Sequence, residues 1–350
     1  MSFQSEVWES DKDVLACDLM RDALNAQFNF FIGIDQTGAA RLGGAEAKPL
    51  PVAFVDARGS RARLVASVAG RPLKLEHFSR EAIETLLGAA LVQSISSSAA
   101  PSPQSILSSS STALLVDSVF GLPSLAWPQG QRAGAITLRD LFREAAKDTH
   151  DRRGYGLRAA AEFFASVLRR SKSSSASAST TTVPLPSLKY PSRACEHLAG
   201  ANSVFRTQPY QKNIQCGTYR IWRDLGRFGS EWVHLRYFEE FNEADPLVTN
   251  GTVFSRPFLF EAYPSLLWRD VLKLRTRDRT KVRAALCDFG DVSMTDEDVL
   301  LIERDADHAD ACILALGGYW LAKQNSLIDG AHSRDRTLAR EGWIAGLPRS

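Results

Sequence analysis

The run Phe28-Asn29-Phe30-Phe31-Ile32-Gly33-Ile34 has aromatic or β-branched side chains at almost every position and leads straight into Asp35-Gln36-Thr37-Gly38. A strand of this kind has no polar face to turn toward water, so it must be covered on both sides, as central strands of α/β sheets are. The acid then stands at a strand's carboxyl end, the edge of an open α/β sheet where ligands collect. Asp also starts turns for purely structural reasons. The weight of Asp35 therefore depends on whether other acids occupy equivalent places.

Two β-rich runs follow, Leu50 to Asp56 and Ala62 to Val68, separated by Arg58-Gly59-Ser60. With the first run they predict a three-stranded antiparallel meander. Ser79 to Gln93 predicts a helix with Ser79 as N-cap and Ile83, Leu86, Leu87 and Ala90 on one face. Ala113 to Pro123 is a second apolar run, carrying Asp117, and Phe254 to Tyr263 a third, carrying Glu261, after which Pro264-Ser265 opens a helix. Thr295-Asp296-Glu297-Asp298 reads as a further helix start. It leads to Asp305 and a buried stripe through Ala306, Ala309, Ile313, Leu316 and Trp320, with Asp307 and Asp310 neighbours on another side. A short helix over residues 11 to 27 is predicted to precede the first strand.

Asp35, Asp117, Glu261, Asp307 and Asp310 are the candidate site, with Asp35, Asp117 and Asp310 as its catalytic members. Carboxylates gathered at one sheet edge repel one another unless protonated or neutralised by a cation. Hard oxygen ligands suit Mg²⁺ or Mn²⁺, and a pair of such ions can activate water and stabilise the leaving oxygen of a phosphodiester. Taken singly, each acid also reads as a turn former, a helix cap or an ion-pair partner, and Glu261 as the partner of an arginine such as Arg269. His308, a quarter-turn from the acids beside it, reads as a packing or surface residue.

The chain of 350 residues carries 42 Lys and Arg against 40 Asp and Glu, a formal net charge of +2. No global field imposes a nucleic-acid or membrane partner, so a nucleic-acid site has to be a local patch. Two patches qualify. One is Lys273, Arg275, Arg277, Arg279, Lys281 and Arg283, which also reads as a solvated helix end. The other interleaves Arg206, Lys212, Arg220 and Arg223 with Trp127, Tyr210, Tyr219 and Trp222, a pattern that stacks bases but also builds a core with a charged rim. Five widely spaced cysteines without a Cys-x-x-Cys pair point to free thiols in a reducing compartment. With no apolar leader or span in view, the expected location is intracellular, cytoplasmic or nuclear.

The expected organisation is a single domain over 1–350, with its core in 28–123 and 254–345. Residues 124–253 form a mostly helical insertion, in which Thr137 caps a helix through Leu138, Leu141, Phe142 and Ala145 and a second runs through Leu157, Ala160, Ala161, Phe164 and Leu168. Ser-rich stretches at 94–112 and 171–182 predict flexible loops.

Three meandering strands, a helix, a strand ending in an acid, another strand and a helix with Asp-x-x-Asp-Ala together resemble the RNase H-like fold. Asp307-His308-Ala309-Asp310-Ala311 looks like the last acidic motif of its Holliday-junction-resolvase branch. A closer resemblance is to the uncharacterised family of predicted RNase H-like nucleases. It is carried by Gly33-Ile34-Asp35, Val116-Asp117-Ser118 with Gly121-Leu122-Pro123, Arg193-x-Cys195-Glu196, Ala201-Asn202-Ser203-Val204, Phe260-Glu261-Ala262-Tyr263-Pro264, Asp310-Ala311 and Glu341-Gly342-Trp343-Ile344. The resemblance implies an α/β fold with a five-stranded mixed sheet of order 3-2-1-4-5, flanked by helices and carrying a helical insertion. It also implies a divalent-metal-dependent nuclease. Glu261 on the fifth strand is extra to that pattern. Asp35-Gln36-Thr37-Gly38 also resembles the first phosphate turn of actin-like sugar kinases, whose second phosphate loop and Gly-rich adenosine motif have no counterpart beyond Gly317-Gly318. A catalytically inactive RNase H-like binding scaffold is the non-enzyme alternative.

Overall fold

The structure is a computed structural model. It describes residues 26–36, 48–94, 107, 112–123, 126, 137–147, 157–175, 191–201, 203–205, 214–235, 256–271, 273–274, 281, 284, 291–327 and 341–347. In chain order these carry β1 (Phe30–Ile34), β2 (Leu50–Asp56), β3 (Ala62–Val65), β4 (Ser67–Val68), β5 (Arg71–Pro72), β6 (Lys74–Leu75), α1 (Arg80–Ser94), β7 (Thr112–Val116), α2 (Leu138–Ala146), α3 (Leu157–Ser175), α4 (Ala194–Ala199), α5 (Ile214–Phe228), β8 (His234–Leu235), β9 (Phe258–Glu261), α6 (Pro264–Asp270), β10 (Val292–Ser293), α7 (Asp296–Arg304) and α8 (Ala306–Lys323).

β1 is buried at every position and lies in the middle of a mixed sheet of order β10-β3-β2-β1-β7-β9-β8. It runs antiparallel to β2 and parallel to β7; β2 and β3 are antiparallel, whereas β7, β9 and β8 run parallel. Side chains alternate across the sheet. Phe31, Leu115, Phe258 and Phe260 pack on one face with α6, α7 and α8, while Phe30, Ile32, Ile34, Leu114, Val116 and Leu259 pack on the other with α1, α2, α3 and α5. Helices thus cover both faces, as the composition of β1 demands. No helix of the described residues is long and apolar enough to cross a membrane.

α8 crosses β1, β2 and β7. Its contact with β1 is closest at Gly33, where a Cβ would lie 2.1 Å from the Ala311 carbonyl oxygen and 2.5 Å from the Ala315 nitrogen. A glycine here lets the helix backbone rest directly on the strand. Gly317 and Gly318 do similar work against Leu267 and Leu115, so they are helix-packing glycines and not a phosphate loop.

Several expectations change. The run Ala62 to Val68 splits into β3 and β4, and the short strands β5 and β6 follow before the helix begins. The Ser79 hydroxyl accepts from the Ala82 amide at 3.2 Å, as its capping position implies. α8 is buried nearly all round from His308 to Gly318 instead of along one stripe, and Ala306 at its start is exposed. The insertion adds β8 to the edge of the sheet. α3 continues through Ser175, into the stretch expected to be a loop, because each added residue gains a backbone bond once the helix is nucleated. Cys195, Cys216 and Cys312 are free and buried; Cys17, Cys287 and all but the last two residues of the helix expected over residues 11 to 27 lie outside the described residues.

Candidate functional site

Ile34 pairs with Val116, and Val116 with Glu261, so the next residue along each strand forms the row Asp35, Asp117, Ala262. Backbone bonds carry the ladder through that row: the Asp35 amide donates to Pro51 O at 3.2 Å, the Asp117 amide to Ile34 O at 3.0 Å and the Ala262 amide to Val116 O at 3.0 Å. Asp35 and Asp117 therefore stand side by side at the carboxyl ends of two central parallel strands, one strand spacing of about 4.8 Å apart. Both are buried. By the alternation of β1 and β7 they belong to the face covered by α8.

Ala311 of α8 lies on Gly33, two residues before Asp35, and Asp310 precedes it in the same helix. Asp310 is 1 % exposed and its Oδ1 accepts from the Trp268 indole of α6 at 2.8 Å. Asp307 is only half-buried and sits in the first turn of α8. Its amide, like that of His308, is capped by Asp305 Oδ1. His308 is a core residue: Nδ1 meets Asp305 Oδ2 at 2.9 Å and Nε2 meets Leu73 O at 3.1 Å, tying the helix start to the segment beside β2.

Glu261, expected as a ligand, has both carboxylate oxygens engaged by protein donors. Register puts it one residue out of step with Asp35 and Asp117, hence on the opposite face. There its Oε2 accepts from the Phe120 amide at 2.9 Å and from Arg193 Nη1 at 2.8 Å, while its Oε1 accepts from Arg193 Nη2. Arg193, not Arg269, is its partner; Arg269 pairs with Asp270 at the surface. Arg193 is wholly buried and also donates from Nε to Glu196 Oε1 at 2.9 Å and from Nη1 to the Glu341 carbonyl at 3.0 Å. Burial opposes the guanidinium's charge, but Glu261, Cys195 and Glu196 outweigh it and hold Arg193 well above its usual pKa. Burial pushes the Glu196 carboxyl up, against the pull of Arg193. That pull comes through the guanidinium Nε, which donates to Glu196 Oε1, and through the Arg193 backbone amide, which donates to Oε2 at 2.8 Å.

This network was legible only in part. Gly121, Arg193, Glu196, Glu261 and Glu341 all occur in the sequence motifs, yet nothing local pairs residues 68 apart, as Arg193 and Glu261 are. The one local signal is Arg193 three residues before Glu196 at a helix start. Beside the network is a small cleft, partly open to solvent, lined by Asp117, Ser118, Arg193, Glu196, Glu261 and Tyr263 among others.

Of the residues expected to hold nucleic acid, Arg220 is a structural residue. It is 1 % exposed and donates to the Lys48 and Glu76 carbonyls. Tyr219 and Trp222 are core side chains on the same helix, with the Trp222 indole bonded to Val119 O at 2.7 Å. Lys273 is exposed just beyond α6. Arg206, Lys212 and Arg275 lie outside the described residues.

Among the described residues no group of three or more His, Cys, Asp or Glu side chains is arranged to hold a metal ion. What Asp35 and Asp117 offer is a pair of buried carboxylates. That pair fits Mg²⁺ or Mn²⁺ in kind, since Mg²⁺ is commonly held by one or two carboxylates, with waters and substrate phosphate completing the shell. No protein-family model, curated protein or solved structure matches the chain.

Proposed function

We propose that the chain is an RNase H-like nuclease that hydrolyses phosphodiester bonds of nucleic acid with Mg²⁺ or Mn²⁺. The observation that carries this reading is the in-register placement of Asp35 and Asp117 at the ends of two adjacent parallel strands in mid-sheet. The order β3-β2-β1-β7-β9 within the sheet supports it, being the 3-2-1-4-5 arrangement of the RNase H-like fold.

In this reading Asp35 and Asp117 hold the ion, and α8 contributes Asp310 from the covered face. A bound divalent ion supplies charge neutralisation at the phosphate and a more acidic water. Burial of the three carboxylates keeps bulk water from screening their charge. Exposed Lys273 is a candidate phosphate contact. One observation favours the binding-scaffold alternative: Asp310 is already bonded to Trp268.

The test is incubation of the purified chain with single- and double-stranded DNA, RNA, hybrids and branched junctions, with Mg²⁺, Mn²⁺ or chelator. Metal-dependent cleavage lost in Asp35→Asn and Asp117→Asn is the expected result. Cleavage that survives chelation refutes the reading, and ion binding without turnover selects the scaffold.

A further inference from the structure

We propose that the buried Arg193–Glu261 pair is a positioning device for Asp117, an inference that rests on the nuclease reading. The turn after Asp117 is held from several sides. Ser118 N donates back to Val116 O at 2.8 Å, Val119 N donates to Thr218 Oγ1 at 3.2 Å, and the Trp222 indole donates to Val119 O at 2.7 Å. The Phe120 amide donates to Glu261 Oε2, and Gly121 is pressed against the Glu341 carbonyl so closely that a Cβ would lie 1.8 Å from that oxygen.

Arg193 joins these contacts. Its Nη1 serves both Glu261 and the Glu341 carbonyl, so one guanidinium fixes the acceptor of the Phe120 amide and the segment that confines Gly121. Glu261 is thereby an anchor for the turn, three residues beyond the acid, and not a ligand beside it. Carboxylates that hold metals need such support, and loss of a group behind a ligand commonly lowers metal affinity or activity about 10–100-fold. Cys195 adds no chemistry here: burial pushes its thiol up to about 12.

The experiment uses the full chain with Glu261→Gln, which keeps size and a hydrogen-bonding group but removes the charge. Arg193→Lys is the second variant, because the Gln side-chain oxygen can still accept from the Phe120 amide. Backbone hydrogen exchange is read at Phe120 and at β1, and Mn²⁺ affinity is read by electron paramagnetic resonance. We expect exchange at Phe120 to quicken about tenfold or more while β1 stays protected, and Mn²⁺ affinity to fall within the 10–100-fold range. Asp117→Asn combined with Glu261→Gln should bind Mn²⁺ no more weakly than Asp117→Asn alone. If Phe120 exchange is unchanged in both variants, or quickens while Mn²⁺ affinity holds, the positioning role is overturned. A wild-type chain that binds no Mn²⁺ overturns the nuclease reading, and with it the role in metal binding, while exchange at Phe120 still decides whether the clamp exists.

Discussion

Gly33→Ala tests how the central strand and its covering helix are built. A methyl group at this position would sit 2.1 Å from the Ala311 carbonyl oxygen, 2.5 Å from the Ala315 nitrogen and 2.8 Å from Leu314 Cβ. Reaching an ordinary contact of 3.4 Å from the first of these requires a shift of about 1.3 Å, and two of the three atoms are helix backbone with no rotamer to move. α8 must lift from β1, yet it is buried on nearly every side and has nowhere to go without losing contacts to Leu115 and Leu267. Overpacking costs typically about 1–3 kcal/mol, and a backbone clash belongs at or beyond the top of that range. At roughly 2–4 °C per kcal/mol for a large domain, a loss of about 3 kcal/mol lowers Tm by about 6–12 °C. Calorimetry of wild type, Gly33→Ala and the control Gly59→Ala makes the comparison. At Gly59 the nearest atom to a new Cβ is Arg61 O at 3.3 Å in an exposed turn, and the change there should stay within about 0.5 kcal/mol. A Gly33→Ala chain as stable as wild type refutes the direct seating of helix on strand.

Two further outcomes follow from the same contacts. Burial raises the Asp305 carboxyl, but bonds from the His308 side chain and the His308 and Asp307 amides overcome this and hold it below its usual range. A depressed acid contributes stability above its unfolded pKa of about 3.9, and that contribution is lost as pH falls through the folded value. Asp305→Asn should therefore flatten the acid limb of a stability-against-pH curve by less than about 1 kcal/mol, given the exposure of the carboxyl; superimposable limbs contradict the pairing. Burial also pushes the Cys195 thiol up to about 12 and the Cys216 thiol to about 11, so at pH 8 neither should react with a thiol reagent until the chain unfolds, as peptide mapping of modified cysteines would show.

What could be read from the sequence is what periodicity and local chemistry encode. β1, β2 and β7 are uninterrupted apolar runs, and Thr137 and Thr295 each form a capping box with the acid three residues on. β8 and β10 are two-residue strands whose existence depends on β9 and β3 being available to pair, so no local pattern announces them. Asp298 illustrates the same divide. Its cap to Thr295 is local, whereas its bonds to the Ala66 and Ser67 amides span more than 200 residues and are set by tertiary packing. At the site, Asp35 and Asp117 were recognisable as strand-end acids. The one-residue register difference between Glu261 and Asp117 reverses the face of a side chain, and composition does not carry it.

The claim at the centre of this account is that Asp35 is one of a pair of metal-holding carboxylates. The most direct measurement is the thermal unfolding of wild type and Asp35→Asn with and without Mn²⁺. The account predicts that Mn²⁺ at about 100 times its Kd stabilises wild type by about 2.7 kcal/mol. Asp35→Asn without metal should be as stable as wild type, or slightly more so because like charges are relieved, and should gain nothing from the ion. An Asp35→Asn chain that is destabilised yet gains as much from Mn²⁺ as wild type does would contradict it.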